Sequence, residues 1–578
     1  MKRNLIYLKH KYNTLLLPTF CMVMSDKLAV VIDMIIIGFF IGSQQLSIIN
    51  LTSPLTYFTG IFYILFGQGG NLLALRAQSK LDHEKMNYYF TLSILGIGVF
   101  SILYVLFIFL FADNILIMYN CPAEIFNISK EYLLIIMFYY PLNCYIIVVS
   151  YFIRSDGFPR LPFYAVLIAN ILNIFFDILF LKVFNGDITS TALSTVIGYL
   201  IGAIYISQYI IFKKGSFQIT PIAKNKMKKI IFTMKEFILN TPEVIGKIFF
   251  TFKISLLTYL CSTYLGVAGL LAFLIYDNSE SVVYIFLSGI MKAMSPIVTV
   301  LHKENDYEAI RYMIIVSMKQ VLLISIPVSI LFFIYPEILL SIFNVVNPHD
   351  AEVVTLAIRI TSFSLIGRCI SYLLASYTQA IERNKISSII TFLEEFLFIV
   401  SASLILTRII GGKGIWIAIL IAESLPVVFY VYLTLRLQKS KKDKFNRLFL
   451  IQKSKLITWT YNRNDVGKID KYLNKETREH LIHIEDLFKE NAITISNSIN
   501  DICNSIFEHL DIDDIDLTIR LEDEKLYIVF TNEGKFYNPL SNNKLKQSNN
   551  IKALSKLNCQ FDYDQILGFN KTYIIYEK

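Results

Sequence analysis

Charge is scarce in this chain. Only 17% of its 578 residues are Asp, Glu, Lys or Arg, against about 25% in an average soluble domain. Apolar residues make up 55% and mean hydropathy is +0.54. Tryptophan is nearly missing, with two residues beside 45 Phe and 35 Tyr. This balance excludes disordered, collagen-like and coiled-coil chains. The seven cysteines show no CxxC spacing, and most lie in or beside apolar runs. A thiol there behaves as a small hydrophobe, so neither a disulfide framework nor a zinc site is expected. No metal or organic cofactor is expected elsewhere. No cleavable leader is expected either: the first apolar run, near 14–40, is too long and lacks a small-residue cleavage site.

What is present is a long apolar part followed, from about Lys439, by an ordinary polar one. A membrane-crossing helix takes roughly 20 apolar residues. Twelve such segments can be drawn, over 13–40, 46–75, 88–112, 126–152, 160–183, 189–213, 236–261, 268–298, 311–335, 351–379, 385–408 and 414–437. Basic residues alternate between the junctions. None falls in 41–45, 184–188 or 336–350, whereas Arg76, Lys80 and Lys85, Arg154 and Arg160, Lys213 to Lys229, Lys303 and Arg311, and Arg383 and Lys385 crowd the others. Cytoplasmic loops carry that excess, so both termini are expected inside. Leu81-Asp82-His83-Glu84 is echoed by Asn305-Asp306-Tyr307-Glu308, and Ser150-Tyr151 by Ser376-Tyr377. The predicted fold is therefore an all-α polytopic membrane protein, twelve transmembrane helices in two six-helix lobes (1–220 and 221–438), followed by a basic linker (439–474) and a small cytoplasmic α+β domain (475–578). Parallel repeats of this kind suit a transporter with its site between the lobes. A channel fits less well, since no filter-like segment occurs.

Ionisable groups deep in membrane helices are costly, and each is a functional candidate. Asp33 sits in an apolar run in segment one. Asn173 and Asp177, four apart on segment five, share a face. Thr195 follows on segment six. Oxygen donors of this kind suit a hard cation, and the carboxyls could instead hold a proton. The alternative is structural pairing, of Asp33 with Lys27 or Asp177 with Lys182. The second lobe holds Lys253, Asp277, Glu280, Arg359, Arg368, Glu394, Glu395 and Glu423. Opposite signs on neighbouring helices favour ion pairs or gates. Lys253, Asp277 and Glu280 are the candidates for a cavity wall.

These residues resemble a known family. Pro18 with Val31-Ile32-Asp33-Met34-Ile35-Ile36-Ile37-Gly38 is similar to the "VDT…G" segment of the multidrug and toxic compound extrusion (MATE) transporters. Phe66-Gly67-Gln68-Gly69-Gly70-Asn71 resembles the family's glycine-rich helix end, and Phe152-Ile153-Arg154-Ser155-Asp156-Gly157 its "LRAxGD" junction. Asn173 to Asp177 matches "NxxxD", and Ala192-Leu193-Ser194-Thr195 resembles "AxAT". The resemblance implies an antiporter that exports an organic, often cationic, compound in exchange for Na⁺ or H⁺. It implies a coupling-ion site at Asp33, Asn173, Asp177 and Thr195, and a place in a bacterial inner membrane. It implies no catalytic residues and no nucleic-acid partner. The second-lobe charges do not follow the family pattern. Two rivals stand beside this reading: a flippase for lipid-linked saccharides, and a membrane sensor signalling through the tail.

The tail is expected to form a helix over 475–509, strands over 515–521 and 526–531, a helix near 549–557 and a strand over 572–576. The order resembles a GHKL-type ATPase domain of the anti-sigma, serine-kinase-like branch. Asn500 stands where that resemblance expects the glutamate that activates water, and Asn532 where it expects the adenine-contacting aspartate. Asn504 matches its Mg²⁺ ligand and Gly534 its "DxG" glycine. An amide cannot act as a general base, so the resemblance implies a degenerate nucleotide site and a domain that regulates, or binds a protein or a nucleotide. His480 and His483 are expected to be surface residues.

Overall fold

The computed structural model describes residues 5–78, 82–156, 158, 160–212, 215–221, 233–238, 241, 243–437, 447–451, 457–463, 485–512, 514–522, 525–533, 537–555, 559–566 and 569–577. Most of the expected basic linker, Gly534 and the pair His480 and His483 lie outside them.

The first three-quarters is helical. Its rods are α1 (Ile6–Ile41), α2 (Ser43–Ala77), α3 (His83–Met118), α4 (Ala123–Ser155), α5 (Arg160–Val183), α6 (Ile188–Ile211), α7 (Glu243–Lys303), α8 (Tyr307–Ile334), α9 (Pro348–Thr361), α10 (Ser364–Ala380), α11 (Asn384–Ile410) and α12 (Lys413–Leu437). Among the described residues nine helices are long and apolar enough to cross a membrane, or ten if α9 and α10, bent by 45° to each other, form one span. That differs from the twelve spans expected. Two features account for the gap. Only Val31–Ile41 of α1 stands out as an apolar helix. The 61 residues of α7 are one continuous run, about 90 Å if straight, where two spans were drawn. The run is kinked at Gly266, whose φ of 60° and ψ of −140° are nearly closed to any residue with a Cβ.

The repeated tetrapeptides have a structural reason. Asp82 caps α3 by accepting the Lys85 N–H at 3.0 Å, and Asp306 caps α8 by accepting the Ala309 N–H at 3.1 Å. Each satisfies a helix-end donor that has no partner within its own helix.

The tail is a five-stranded antiparallel sheet, in the order β1-β2-β3-β5-β4, with one long helix. The strands are β1 (Ile457–Asn462), β2 (Asp514–Glu522), β3 (Lys525–Glu533), β4 (Cys559–Ile566) and β5 (Phe569–Glu577), and the helix is α13 (Glu485–His509). β1 lies inside the stretch expected to be linker and pairs with β2 from Ile457↔Ile519 to Asn462↔Asp514. The period of two divides the sheet. Ile515, Leu517, Ile519, Ile528, Phe530 and Ile574 pack against Ile495, Ile499, Ile502 and Ile506 of α13. Asp516, Thr518, Val529, Thr531, Phe569 and Lys571 face the other way, toward Leu8, Leu301 and Glu304 at the basic end of the helical part.

Candidate functional site

The four residues singled out in the first half come together. Asn173, between three and four turns into α5, donates its amide N–H to Asp177 Oδ2 at 3.0 Å and to Thr195 Oγ1 at 3.2 Å. Spacing of four puts Asn173 and Asp177 one above the other, and α6 packs alongside to bring Thr195 in. Asp33 enters from α1, its carboxyl within hydrogen-bond reach of that of Asp177. One oxygen of each carboxyl, Asp33 Oδ1 and Asp177 Oδ1, has no donor. Asp177 is fully buried and Asn173 nearly so. Two adjacent carboxyls in such a place need a proton or a cation between them. The structural alternative of Asp177 pairing with Lys182 is not what the geometry gives: among the described residues the side-chain contacts of Asp177 are Asn173, Asp33 and Ser194. The side chain of Lys27 lies outside the described residues. Directly after Asp177, α5 continues as a π-helical turn, Leu179–Val183, a distortion that often marks a functional segment.

Asp33, Asn173 and Thr195 open onto a cavity of about 270 Å³. Its opposite wall comes from α7, with Ile254, Phe273, Asp277 and Asn278. The rest includes Tyr57, Tyr132, Tyr139 and Tyr199. Asp277 accepts from the Tyr57 hydroxyl at 3.0 Å, and Tyr199 donates to Asn170 at 3.3 Å. No Lys, Arg or His lines this space among the described residues. The cavity is thus acidic and aromatic, which suits an organic cation. The tyrosines carried no signal of their own in a chain with 35 of them.

Of the second-half candidates, only Asp277 reaches the cavity. Lys253 and Glu280 lie behind it in a buried charge cluster. Lys253 donates to Glu395 at 3.1 Å. Arg368 contacts Glu280, lies 2.7 Å from Glu423 and 3.9 Å from Glu395. Tyr276 donates to Glu423 at 2.6 Å and Tyr372 to Glu395 at 3.0 Å, while Ser371 donates to Glu394. Consecutive glutamates normally point 100° apart on a helix. Here a π-helical turn, Leu393–Phe398, buries both Glu394 and Glu395. Arg359 stands apart, partly exposed, 3.8 Å from Glu337.

The basic-poor end of the helical part is sealed between its halves. Asn344 donates to the Gly38 carbonyl at 3.1 Å, Gln44 to Asp350 at 3.2 Å and Ser262 to the Asn120 carbonyl at 2.6 Å. A Cβ at Gly38 would meet the Phe343 carbonyl oxygen at 2.8 Å, so glycine is what allows this approach.

Three of the tail's four candidates lie within the described residues, and they stand apart. Asn500 accepts from the Tyr461 hydroxyl at 2.8 Å, Asn504 is exposed on α13, and Asn532 is buried on β3. None of them lines either cavity described here.

The MatE family model matches residues 18–179 and again 242–404, together more than half of the chain. The chain belongs to the MATE family. The two matches start 224 residues apart, at 18 and 242, the spacing of the Asp82 and Asp306 caps. This MATE protein is therefore a multi-pass membrane transporter and not an enzyme. It is 23% identical over 424 residues to the multidrug export protein MepA of Staphylococcus saprophyticus, covering 70% of this chain and 89% of that one. To MepA of Staphylococcus aureus it is 22% identical over 412 residues, covering 68% and 86%. Among solved structures, an inward-facing MATE multidrug transporter aligns with a TM-score of 0.64 at 16% identity, covering 72% of this chain and 96% of that one. An outward-facing one aligns at 0.56 and 16%, covering 75% and 96%.

Proposed function

We propose that this protein is a secondary antiporter that exports organic cations or amphipathic compounds in exchange for a cation bound at Asp33, Asn173, Asp177 and Thr195. The observation that carries the reading is the shared cavity. The ion-site wall (Asp33, Asn173, Thr195) and the Asp277–Tyr57 wall face one acidic, aromatic space with no basic lining. A cationic substrate and a coupling ion would compete for the same negative charge, and that competition supplies the exchange. Of the two candidate ions, the direct contact between the Asp33 and Asp177 carboxyls favours H⁺ over Na⁺, since a proton is what two carboxyls share. The MepA relatives are multidrug export proteins, which supports drug-like substrates. A flippase for lipid-linked saccharides would have no use for the paired carboxyls.

We read the helical part as twelve spans in two six-helix lobes, counting α1, the two legs of α7 and the α9–α10 pair as spans. The repeated family match supports this. The alternation of basic loops supports cytoplasmic termini in a bacterial inner membrane. The C-terminal sheet then lies inside the cell. Without an ionisable group at Asn500 or Asn532, it serves as a regulatory module, for which a protein or a nucleotide remains the candidate partner.

The test is efflux of lipophilic cations from proteoliposomes under imposed pH or Na⁺ gradients, wild type beside Asp33→Asn. Gradient-driven efflux that Asp33→Asn uncouples supports the reading and names the ion. No efflux under either gradient, from folded protein, overturns it.

A further inference from the structure

The C-terminal sheet does not hang free. Just after α12, residues 447–451 are fastened under the helices: Tyr377 donates to the Phe449 carbonyl and Tyr430 to the Leu448 carbonyl, both at 2.7 Å. Leu450 and Ile451 join the same buried cluster as Leu8, Tyr12, Met313 and Phe569. Beyond them, the face of the sheet turned away from α13 reaches two separate parts of the transporter. One is the start of α1: His10 Nδ1 lies 3.0 Å from the Glu533 carboxylate of β3, and Lys11 lies 5.7 Å from the Phe569 ring centre. The other is the end of α7, where Glu304 pairs with Lys571 of β5. Lys571 is 3% exposed, so it is an ammonium buried in the contact. A charge so placed needs its partner. Between the two attachments Asp516, Thr518, Val529 and Thr531 face Leu8, Ile297 and Leu301 across a gap of only about 30 Å³.

The two attachments belong to different halves. α1 is an element of the first half and carries Asp33, 23 residues from His10 on one continuous helix, about 35 Å along its axis. Glu304 directly follows the second leg of α7, in the second half. The inner part of α1 also packs on α7 and α8 of the second half, through Leu8 and Tyr12 against Ile297, Met313 and Ile314. Tyr12 donates to Gln320 of α8 at 2.5 Å. Exchange by rocking of the halves must change these distances.

We propose that the C-terminal sheet is a latch. Docked as seen here, it holds the inner end of α1 to the end of α7 in the state whose outer end is sealed, and it must release one of them for the cycle to proceed. The inference rests on the transporter reading above and names how the tail regulates it. A change in the tail reaches the ion site through α1 itself. Tail and coupling ion therefore act on each other's equilibria.

The experiment uses the full chain with its seven cysteines replaced by Ser. Glu304→Cys and Lys571→Cys are introduced together and joined by a short bis-maleimide, and the joined fraction is read by mass spectrometry. Joining is expected to slow tetraphenylphosphonium efflux by about tenfold or more. In the native background, Lys571→Glu is expected to speed efflux by about threefold, and Glu304→Lys with Lys571→Glu to return it toward wild type. Efflux unchanged by joining and by Lys571→Glu overturns the latch. If the unjoined protein moves no cation under any gradient, the antiporter reading fails. The latch is then judged by joining yield with and without tetraphenylphosphonium, where a severalfold difference supports it and an equal yield overturns it.

Discussion

Replacing Arg368 with Met removes a guanidinium that contacts Glu280, Glu423 and Glu395. Taking one partner from a buried ion pair costs about 3–5 kcal/mol, because the other charge is left in a dry place. Glu395 keeps Lys253 at 3.1 Å and the Tyr372 hydroxyl. Glu423 keeps only a neutral donor, Tyr276, and Glu280 loses its nearest cation. The loss should therefore sit near the top of that range, about 5 kcal/mol. Lys253→Met exposes less: Glu395 still has Arg368 at 3.9 Å and Tyr372 at 3.0 Å, so about 3 kcal/mol is expected. Neutralising an orphaned acid should recover part of the loss, so Arg368→Met with Glu423→Gln should be more stable than Arg368→Met alone. Membrane proteins rarely unfold reversibly, and the comparison is best made on heat inactivation rates of purified protein, followed by size-exclusion profiles. Arg368→Met inactivating no faster than wild type, or Lys253→Met inactivating faster than Arg368→Met, would refute the reasoning.

Other consequences can be checked separately. Asp277→Asn removes a negative charge from the cavity wall and should weaken tetraphenylphosphonium binding by about tenfold or more, with little effect on a neutral substrate; titration calorimetry with both ligands reads this. Gly38→Ala places a Cβ against the Phe343 carbonyl at the sealed end. Labelling of Ser43→Cys, 5% exposed in the seal, by a membrane-impermeant maleimide should then rise about fivefold. In the tail, burial pushes the Cys503 thiol well up and the Cys559 thiol up to about 11. The thiolate is the reactive form, so both should resist iodoacetamide at pH 7.5. Cys559 labelling should then climb about tenfold per pH unit toward pH 11, and rapid labelling at neutral pH would contradict the packing.

The residues of the proposed ion site were legible because a carboxylate deep in an apolar helix is costly. Asp33, Asn173, Asp177 and Thr195 could be named from their surroundings, and the structure brings all four together. The cavity's other wall was legible only at Asp277. Tyr57, Tyr139 and Tyr199 are neutral residues in a tyrosine-rich chain, and only folding picks them out. Lys253 and Glu280 looked like cavity candidates for the same reason as Asp277, but position on α7 turns them toward Arg368 and Glu395. The helix count is hardest to read where polar punctuation is weakest. Gly266 alone breaks the helical geometry of α7, within the gap drawn between 236–261 and 268–298. In the tail, β1 was hidden because its pairing with β2 spans a long stretch of polar sequence, and a strand's stability lies in its partner. The docking of the sheet on α1 and α7 joins residues more than 250 positions apart and left no local trace.

The central claim is that substrate and coupling ion compete for the carboxyls at Asp33 and Asp177. The most direct test is proton release from purified protein in weakly buffered detergent on adding tetraphenylphosphonium. The account predicts release of up to about one proton per bound molecule by wild type, and a loss of that release in Asp33→Asn protein that still binds. Equal release from both proteins, or saturable binding to wild type with no release at any pH from 5 to 9, would contradict it.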